Sequence, residues 1–193
     1  KMKNVFIDLG AGSGDDIKGY YKLAPDNKTH EVHAFEPNPK RTDGIKARFP
    51  NINVYTAAAG IKEGTVKLYL GNSLNTSSTN ENKVSINTSR YIESPVIDIP
   101  TWLKQNFRQT DYITMVMDIE GGEYELLQAM YDDGVWSWID EMYVEFHGTK
   151  LRGFDMKIEE DLTKKLIDYY EDKVYIFRKH NHEQFVKLNA EGA

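Results

Sequence analysis

Val5-Phe6-Ile7-Asp8-Leu9-Gly10-Ala11-Gly12-Ser13-Gly14 is the stretch that decides the fold of this chain. Its apolar half predicts a buried parallel strand, its glycines predict a tight turn, and residues 15–23 after them predict a helix. Because glycine has no Cβ, the backbone at these positions can turn sharply and approach a ligand closely. A strand, a glycine-rich turn and a helix in this order are typical of a unit that binds a nucleotide.

The next apolar run, Val32-His33-Ala34-Phe35, is followed by an acidic residue, Glu36. A carboxylate at the end of the second strand of such a unit can accept hydrogen bonds from both hydroxyls of a ribose. A glycine cluster alone often marks only a turn, so the acid is the more informative signal. The two together predict a cofactor that contains adenosine.

Composition limits the class of protein. The chain has 193 residues, enough for a substantial core, and we expect a single domain over 1–193. Its 24 basic and 30 acidic residues give a net charge of -6 with no long basic run, which argues against nucleic acid as the main partner. The chain has no cysteine and no apolar run or leader typical of membrane proteins or exported ones, so we expect a soluble, cytoplasmic protein.

Strands and helices alternate along the rest of the chain. Residues 52–59 predict a third strand, and residues 65–70 predict an alternating strand that forms a hairpin-like pair with it at the sheet edge. Residues 71–90 are rich in Asn, Ser and Thr and predict a polar flap or insertion, either near the active site or as a surface excursion. Residues 174–177 and 185–188 predict a closing hairpin.

The order of these elements predicts an α/β fold with a mostly parallel sheet and one antiparallel strand. One apolar strand runs into Asp118, and a later one ends on Glu145 and His147. In open α/β sheets, ligands bind beyond the carboxyl ends of the strands, where the strand order reverses. We therefore expect Gly10, Glu36, Asp118 and Glu145 to share one edge of the sheet.

Three motifs carry a resemblance to a known family. They are Phe6-Ile7-Asp8-Leu9-Gly10-Ala11-Gly12-Ser13-Gly14, Val32-His33-Ala34-Phe35-Glu36-Pro37-Asn38-Pro39 and Met117-Asp118-Ile119-Glu120-Gly121-Gly122-Glu123-Tyr124-Glu125-Leu126-Leu127. With these motifs in this order, the chain resembles the class I S-adenosylmethionine-dependent methyltransferases, and most closely the FkbM-type family. The resemblance implies a Rossmann-like, seven-stranded, mostly parallel sheet with an antiparallel last strand and helices on both faces.

The resemblance also implies an activity and a set of binding residues. The activity is transfer of a methyl group from S-adenosylmethionine to oxygen on a sugar or other small-molecule acceptor. At matching positions, the residues implied to bind the cofactor are Asp8, Gly10, Gly12 and Ser13 for the methionine portion, Glu36 for the ribose, Ala58 and its neighbours for adenine, and Asp118. No acidic residue directly follows residues 57–59, the segment that the resemblance places near adenine. A lid over the acceptor would come from residues 72–90.

The chemistry of methyl transfer indicates which residues would act on the acceptor. Alignment of the acceptor oxygen, methyl carbon and sulfur can supply most of the catalysis, but a hydroxyl benefits from a base or a Lewis acid as its proton leaves. His147 or Asp118 is the predicted general base, with Glu145 on the same strand face as His147. The sharper hypothesis is Mg²⁺ or Mn²⁺ held by Asp118, Glu120, Glu145 and His147. Alternatively, Glu120 and the acids after it only favour a helix N-terminus.

Three other functions remain open on the sequence. An RNA ribose 2′-O-methyltransferase has the same sheet, but the resemblance would require a lysine between Asp118 and Glu145, and this interval has none. A NAD-dependent dehydrogenase requires G-x-G-x-x-G, and Asp15 stands where the third glycine would be, so that its charge would repel a pyrophosphate. The third is a non-catalytic protein that binds an adenosyl cofactor.

Overall fold

The computed structural model describes residues 1–71 and 77–177, and nine strands and five α-helices lie in these residues. The strands are β1 (Asn4–Leu9), β2 (Glu31–Phe35), β3 (Asn53–Tyr55), β4 (Ala58–Gly60), β5 (Gly64–Gly71), β6 (Ile86–Asp98), β7 (Tyr112–Met117), β8 (Glu141–Glu145) and β9 (Val174–Phe177). The helices are α1 (Asp15–Leu23), α2 (Pro39–Arg48), α3 (Ile99–Asn106), α4 (Glu123–Asp132) and α5 (Met156–Tyr170). None of these helices is long and apolar enough to span a bilayer.

The main sheet has six strands in the order β3-β2-β1-β7-β8-β9, and every neighbouring pair is parallel. The chain starts at the centre, runs outward through β2 and β3, and returns to place β7 on the other side of β1. The strand order therefore reverses between β1 and β7, which is where sheets of this kind bind ligands. The predicted Rossmann-like α/β fold is confirmed.

The strand count differs from the prediction by one. Seven strands were expected, and the described residues contribute six to the main sheet. The predicted antiparallel last strand, residues 185–188, lies outside the described residues, as does the hairpin turn before it. Its predicted partner, residues 174–177, is β9 and pairs parallel to β8.

Helices cover both faces of the main sheet, as predicted. Successive side chains of a strand point to opposite faces. Val5, Ile7 and Leu9 of β1 pack in one core cluster with residues of α3, α4 and α5, whereas Phe6 packs in a second cluster with residues of α1 and α2. Because β1 is buried on both faces, the turn that follows it is held on a rigid support.

The prediction of one third strand over residues 52–59 is wrong. Residues 53–55 join the main sheet as β3, but β4 belongs to a second sheet with the order β4-β6-β5. In that sheet β5 pairs antiparallel with β6 and not with the third strand. The chain turns away from the main sheet at Thr56, whose hydroxyl lies 2.9 Å from that of Thr42 in α2. An alternating pattern predicts a strand but does not specify the sheet that the strand joins.

Part of the segment predicted as a polar flap is a strand. β6 begins at Ile86 and runs for 13 residues, so residues 86–90 extend a two-stranded arm with β5. Most side chains at this end of the arm are exposed, which is why their composition is that of a loop. Residues 77–84 return to the edge of the main sheet and contact the turns after β7 and β8.

Candidate active site

A cavity of about 240 Å³ lies beyond the carboxyl ends of β1, β2, β7 and β8. The residues predicted to bind the cofactor that line it are Gly10, Gly12, Ser13, Glu36, Ala58 and Asp118. Glu120 and Glu145 of the predicted metal group also line the cavity. Asp8 and His147 are fully buried beside these residues. The sheet edge therefore gathers the residues that the sequence motifs singled out.

Acidic side chains dominate the wall of the cavity. Among the residues that the structure describes, six carboxylates line it, and Arg41 is the one cationic side chain. The carboxylates are Asp15, Asp16, Glu36, Asp118, Glu120 and Glu145. Such a wall attracts a cationic ligand and opposes a pyrophosphate.

The glycine-rich turn lies directly against the turn after β7. Gly10 has a φ of +90°, and a Cβ at this position would lie 1.9 Å from the carbonyl oxygen of Asp118. The Gly10 N–H donates to the carbonyl of Phe35 at 2.9 Å, which ties the turn to β2 as well. Only glycine fits here, because the close approach and the positive φ both exclude a side chain. The motif thus fixes the spacing between the glycine-rich turn and Asp118.

Glu36 is held in place by the backbone around it. Its Oε2 accepts from the Gly12 N–H at 2.9 Å, and its Oε1 accepts from the Asn38 N–H at 2.8 Å. Burial raises the pKa of Glu36 above its ordinary value, although these donors and the Arg41 guanidinium favour the carboxylate. A carboxylate fixed in this way has remaining lone pairs for a ligand in the cavity, as recognition of a ribose requires.

Arg41 is a lining residue that sequence reasoning missed. Its Nη1 lies 3.6 Å from Glu36 Oε2, while its buried Nη2 has no hydrogen-bond partner among the described residues. A buried donor without a partner is costly, so this N–H is suited to a ligand oxygen or ring nitrogen. The sequence feature that could have indicated Arg41 is its position in the first turn of the helix that follows Glu36.

Asp8 lies in β1 with a fully buried side chain, and neither carboxyl oxygen has a hydrogen-bond partner in the described part of the chain. Burial raises the pKa of Asp8 well above its ordinary value, and the charges of Asp16, Asp118 and Glu36 raise it further. A buried acid in this setting is costly, and a cationic group beside it would offset that cost. The amino group of S-adenosylmethionine is such a cation, so the chemistry of Asp8 fits the predicted contact.

Three carboxylates surround one ring nitrogen of His147. The distances from Nε2 are 3.2 Å to Glu120, 3.4 Å to Glu145 and 3.5 Å to Asp118. The other ring nitrogen, Nδ1, lies 3.1 Å from Oε1 of the fully buried Glu123, which also accepts the backbone N–H of His147 at 2.8 Å. Glu123 therefore fixes the orientation of the ring. We call these five residues the His147 group.

The carboxylates around His147 favour its imidazolium form. Its burial disfavours the cation, but the contacts with Glu123 and Glu145 and the charge of Asp118 outweigh burial and raise the pKa of His147 to about 9. An imidazolium cannot accept a proton, so of the two predicted bases the structure favours Asp118. His147 instead supplies positive charge to the three carboxylates.

Replacing Glu123 with glutamine is expected to lower the pKa of His147 by about one unit or more, because the variant loses the carboxylate that stabilises the imidazolium. In the wild type, the attraction between Glu123 and the His147 imidazolium contributes fully to the stability of the fold below pH 6.5. This contribution is lost as the pH rises through about 9. Histidine ring NMR against pH measures the change, with Glu125→Gln on the exposed side of α4 as the control. An unchanged His147 midpoint in Glu123→Gln would contradict the assignment.

A short segment, residues 77–84, crosses the His147 group, and we call it the strap. The Ser78 hydroxyl donates to the carbonyl of Glu120 at 2.6 Å, which ties the strap to the turn after β7. Lys83 forms an antiparallel bridge with Leu151, which ties it to the turn after β8. The strap therefore joins the two turns that carry the acidic residues.

Lys83 extends from the strap into the His147 group. It is only 1% exposed, and its ammonium forms an ion pair with Glu120. Burial lowers the pKa of Lys83 to about 8, and the charge of Lys150 acts in the same direction, while neighbouring carboxylates oppose both. Sequence reasoning missed Lys83 because it lies in a polar segment without a periodic pattern.

The residues of the predicted metal site do come together. Asp118, Glu120 and His147 each offer a ligand atom within 4.8 Å of the others, and Glu145 contacts the same ring nitrogen. One observation nevertheless does not fit a divalent ion. The ammonium of Lys83 already pairs with the carboxylate of Glu120, so a cation already occupies this part of the group. In this arrangement the group does not fit Mg²⁺ or Mn²⁺.

Comparison with known proteins gives one match. The family model described as the methyltransferase FkbM domain matches residues 8–177, a span that includes the cavity, the strap and the His147 group. No curated protein and no solved structure matches the chain. Because the matched span covers far more than half of its length, the chain belongs to the FkbM methyltransferase family.

Proposed function

We propose that this methyltransferase uses S-adenosylmethionine as its donor and methylates a hydroxyl oxygen on a sugar or another small, neutral acceptor. The observation that carries the proposal is the charge of the cavity, which is lined by six carboxylates and one guanidinium among the described residues. The donor has a sulfonium and an ammonium, and both are cations. An acidic wall suits these groups and repels the pyrophosphate of NAD.

The proposed donor site uses the residues around the glycine-rich turn. Glu36 and Arg41 would bind the ribose, since one offers acceptor oxygens and the other a buried N–H. Gly10, Gly12 and Ser13 would lie along the methionine portion, and Ala58 would lie near adenine. Bound here, the donor supplies an electrophilic methyl group on its sulfonium sulfur.

Replacing Glu36 with glutamine is expected to weaken binding of S-adenosylhomocysteine by about tenfold to a hundredfold, the loss expected when a hydrogen bond to a charged group is removed. Isothermal titration calorimetry measures the change. Glu31→Gln, at the opposite end of β2, is the matched control and should bind like the wild type. Equal affinities for all three proteins would exclude Glu36 as a donor ligand.

The reaction is an in-line displacement in which the bond between methyl carbon and sulfur breaks as a bond to the acceptor oxygen forms. The acceptor hydroxyl must lose its proton, and Asp118 is the base that we assign to it. Asp118 lines the cavity, and His147 Nε2 lies 3.5 Å from its Oδ1. The products are a methyl ether and S-adenosylhomocysteine, and the proton lies first on Asp118 and then in solvent.

The side of the cavity near the strap favours a hydroxylated acceptor without negative charge. Ser77, Ser78 and Thr79 of the strap line it together with Glu120 and Glu145. Hydroxyl and carboxylate groups can bind the hydroxyls of a sugar, whereas the carboxylates oppose a phosphate.

RNA as the acceptor is the alternative that one observation favours. Lys83 supplies a lysine next to Asp118 and Glu145 although none lies between them in the sequence. The excess of carboxylates and the net charge of -6 nevertheless oppose a polyanion.

Incubation with donor labelled in its methyl group tests the proposal directly. The acceptors would be neutral sugars and polyols, sugar phosphates, and RNA, each analysed by mass spectrometry for label and for the atom that carries it. We expect label on oxygen of a neutral hydroxylated acceptor, with release of S-adenosylhomocysteine. Label in RNA alone would support the alternative, and donor binding without transfer to any of these acceptors would support a non-catalytic protein.

A further inference from the structure

Lys83 is a buried charged residue that the proposed methyl transfer does not use. Lysine is almost never fully buried unless it is paired, because its ammonium loses its hydration. Here the ammonium pairs with Glu120, which lies two residues after Asp118 in the turn that approaches Gly10. The ion pair joins the strap to the turn after β7, so it is a buried contact between two segments of the site.

The charges around Lys83 show what it does for the site. Asp118, Glu120, Glu145 and Glu123 all contact His147, and Glu145 also pairs with Lys150 at 3.5 Å, so four carboxylates face two cations before Lys83 is counted. Uncompensated carboxylates at this spacing repel one another strongly where water is excluded. Lys83 adds a further positive charge, and its ammonium contacts Oε2 of Glu120, the same oxygen that lies 3.2 Å from His147 Nε2.

We propose that the Lys83 ammonium is the resident cation of the His147 group and takes the place that a divalent metal ion would otherwise occupy. Lys83 is then a positioning residue. It neutralises Glu120, keeps Asp118 and Glu145 in their places beside His147, and fixes the strap whose Ser77, Ser78 and Thr79 line the cavity. The part of this inference that concerns catalysis rests on the proposed function, and it predicts that methyl transfer proceeds without a metal ion.

The structure of the strap supports this role. Ser78 and Lys83 bind the same residue, Glu120, one through its backbone carbonyl and the other through its side chain. Asn80 adds a hydrogen bond from its side chain to the carbonyl of Gly121 at 3.4 Å. Glu120 itself has a φ of +58°, a conformation that costs a non-glycine residue about 1 kcal/mol or more unless its surroundings enforce it. The contacts with Ser78, Asn80 and Lys83 are the surroundings that enforce this backbone conformation of Glu120.

Binding of Mn²⁺ alone, followed by the electron paramagnetic resonance signal of the free ion, tests the inference without reference to activity. The wild type should leave the signal unchanged, whereas Lys83→Met, which removes the charge but keeps the length of the side chain, should bind about one ion per chain. We expect the affinity of Lys83→Met for Mn²⁺ to exceed that of the wild type by about tenfold or more. Lys104→Met is the matched control, because Lys104 pairs with Asp133 at the exposed surface, and it should behave like the wild type.

Several results would overturn the inference. The first is binding of Mn²⁺ by the wild type with a dissociation constant below about 100 μM. The second is a Lys83→Met variant that binds Mn²⁺ no more tightly than the wild type, and the third is an equal gain in affinity for Mn²⁺ in Lys104→Met. If Lys83→Met does not fold, the wild-type titration still decides, together with Lys83→Arg. The arginine variant retains the charge and should exclude Mn²⁺, and binding of Mn²⁺ by this variant would show that the charge is not the cause.

Activity provides a second readout. Methyl transfer by the wild type should be unaffected by EDTA. The Lys83→Met variant should lose most of the transfer activity, and added Mn²⁺ or Mg²⁺ should restore part of that loss. A merely structural lysine would not be rescued by a metal ion. If the wild type transfers no methyl group to any acceptor, the proposed function fails, while the Mn²⁺ titration still decides which cation the His147 group holds.

Discussion

Replacing Gly10 with alanine is expected to abolish donor binding and to destabilise the fold by about 3 kcal/mol or more. The added Cβ would lie 1.9 Å from the carbonyl oxygen of Asp118, and alanine is also disfavoured at a φ of +90°. The backbone at Asp118 cannot easily yield, because its N–H donates to the carbonyl of Leu9 at 2.9 Å. Thermal unfolding and titration with S-adenosylhomocysteine measure the two effects.

Gly134→Ala separates the close approach from the backbone conformation. Gly134 has a φ of +73°, but a Cβ there would meet no atom within 4 Å. This variant should lose about 1 kcal/mol and bind the donor product like the wild type. Equal losses of stability in the two variants, or normal binding by Gly10→Ala, would show that the contact between the two turns does not shape the donor site.

Replacing Asp118 with asparagine is expected to lower kcat by about 10²- to 10⁴-fold, which is the usual contribution of general base catalysis. The substitution keeps the shape of the side chain but removes the group that would accept the proton. Asp118 lines the cavity beside the residues proposed to bind the donor, so some loss of donor affinity is expected too, but it should be smaller than the loss in kcat. Steady-state kinetics and calorimetric titration with S-adenosylhomocysteine separate the two.

Asp132→Asn is the matched control for this substitution. Asp132 is exposed at the end of α4 and accepts a hydrogen bond from Gln128, so its replacement should leave kcat unchanged. If Asp118→Asn retains kcat within about threefold of the wild type, Asp118 does not take the proton, and the role would pass to Glu145.

The sequence predicts the scaffold well because its signals are local. The apolar run before Gly10, the acid after the second strand and the carboxylates at Asp118 and Glu145 are each readable within a few residues. The rule that parallel strands present their carboxyl ends at one edge then brings these residues together. The cavity confirms this placement, since Gly10, Glu36, Asp118 and Glu145 all line it.

The sequence does not predict features that depend on distant contacts. Lys83 lies 35 residues before Asp118 in a polar segment, and only the packing of the strap brings it to the acidic group. The splitting of residues 52–59 between two sheets likewise depends on the partner strand β6. Both are outcomes of tertiary structure, which local patterns of polarity do not contain.

The charge of His147 is a further property that the sequence does not contain. A histidine at a strand end beside acids predicts equally well a base, a metal ligand or a cation. The fully buried Glu123 decides among these, because its carboxylate binds Nδ1 and favours the imidazolium. Glu123 itself lies in a run of acids that also suits a helix N-terminus, so the sequence pattern does not separate the two roles.

Calorimetric titration of the purified protein with S-adenosylhomocysteine tests most directly whether this cavity binds an adenosyl donor. We predict one binding site per chain with a dissociation constant between about 1 and 100 μM, and no heat with NAD⁺. Absence of binding at about 1 mM S-adenosylhomocysteine, or binding of NAD⁺ in its place, would contradict the donor site built from Gly10, Glu36 and Asp118.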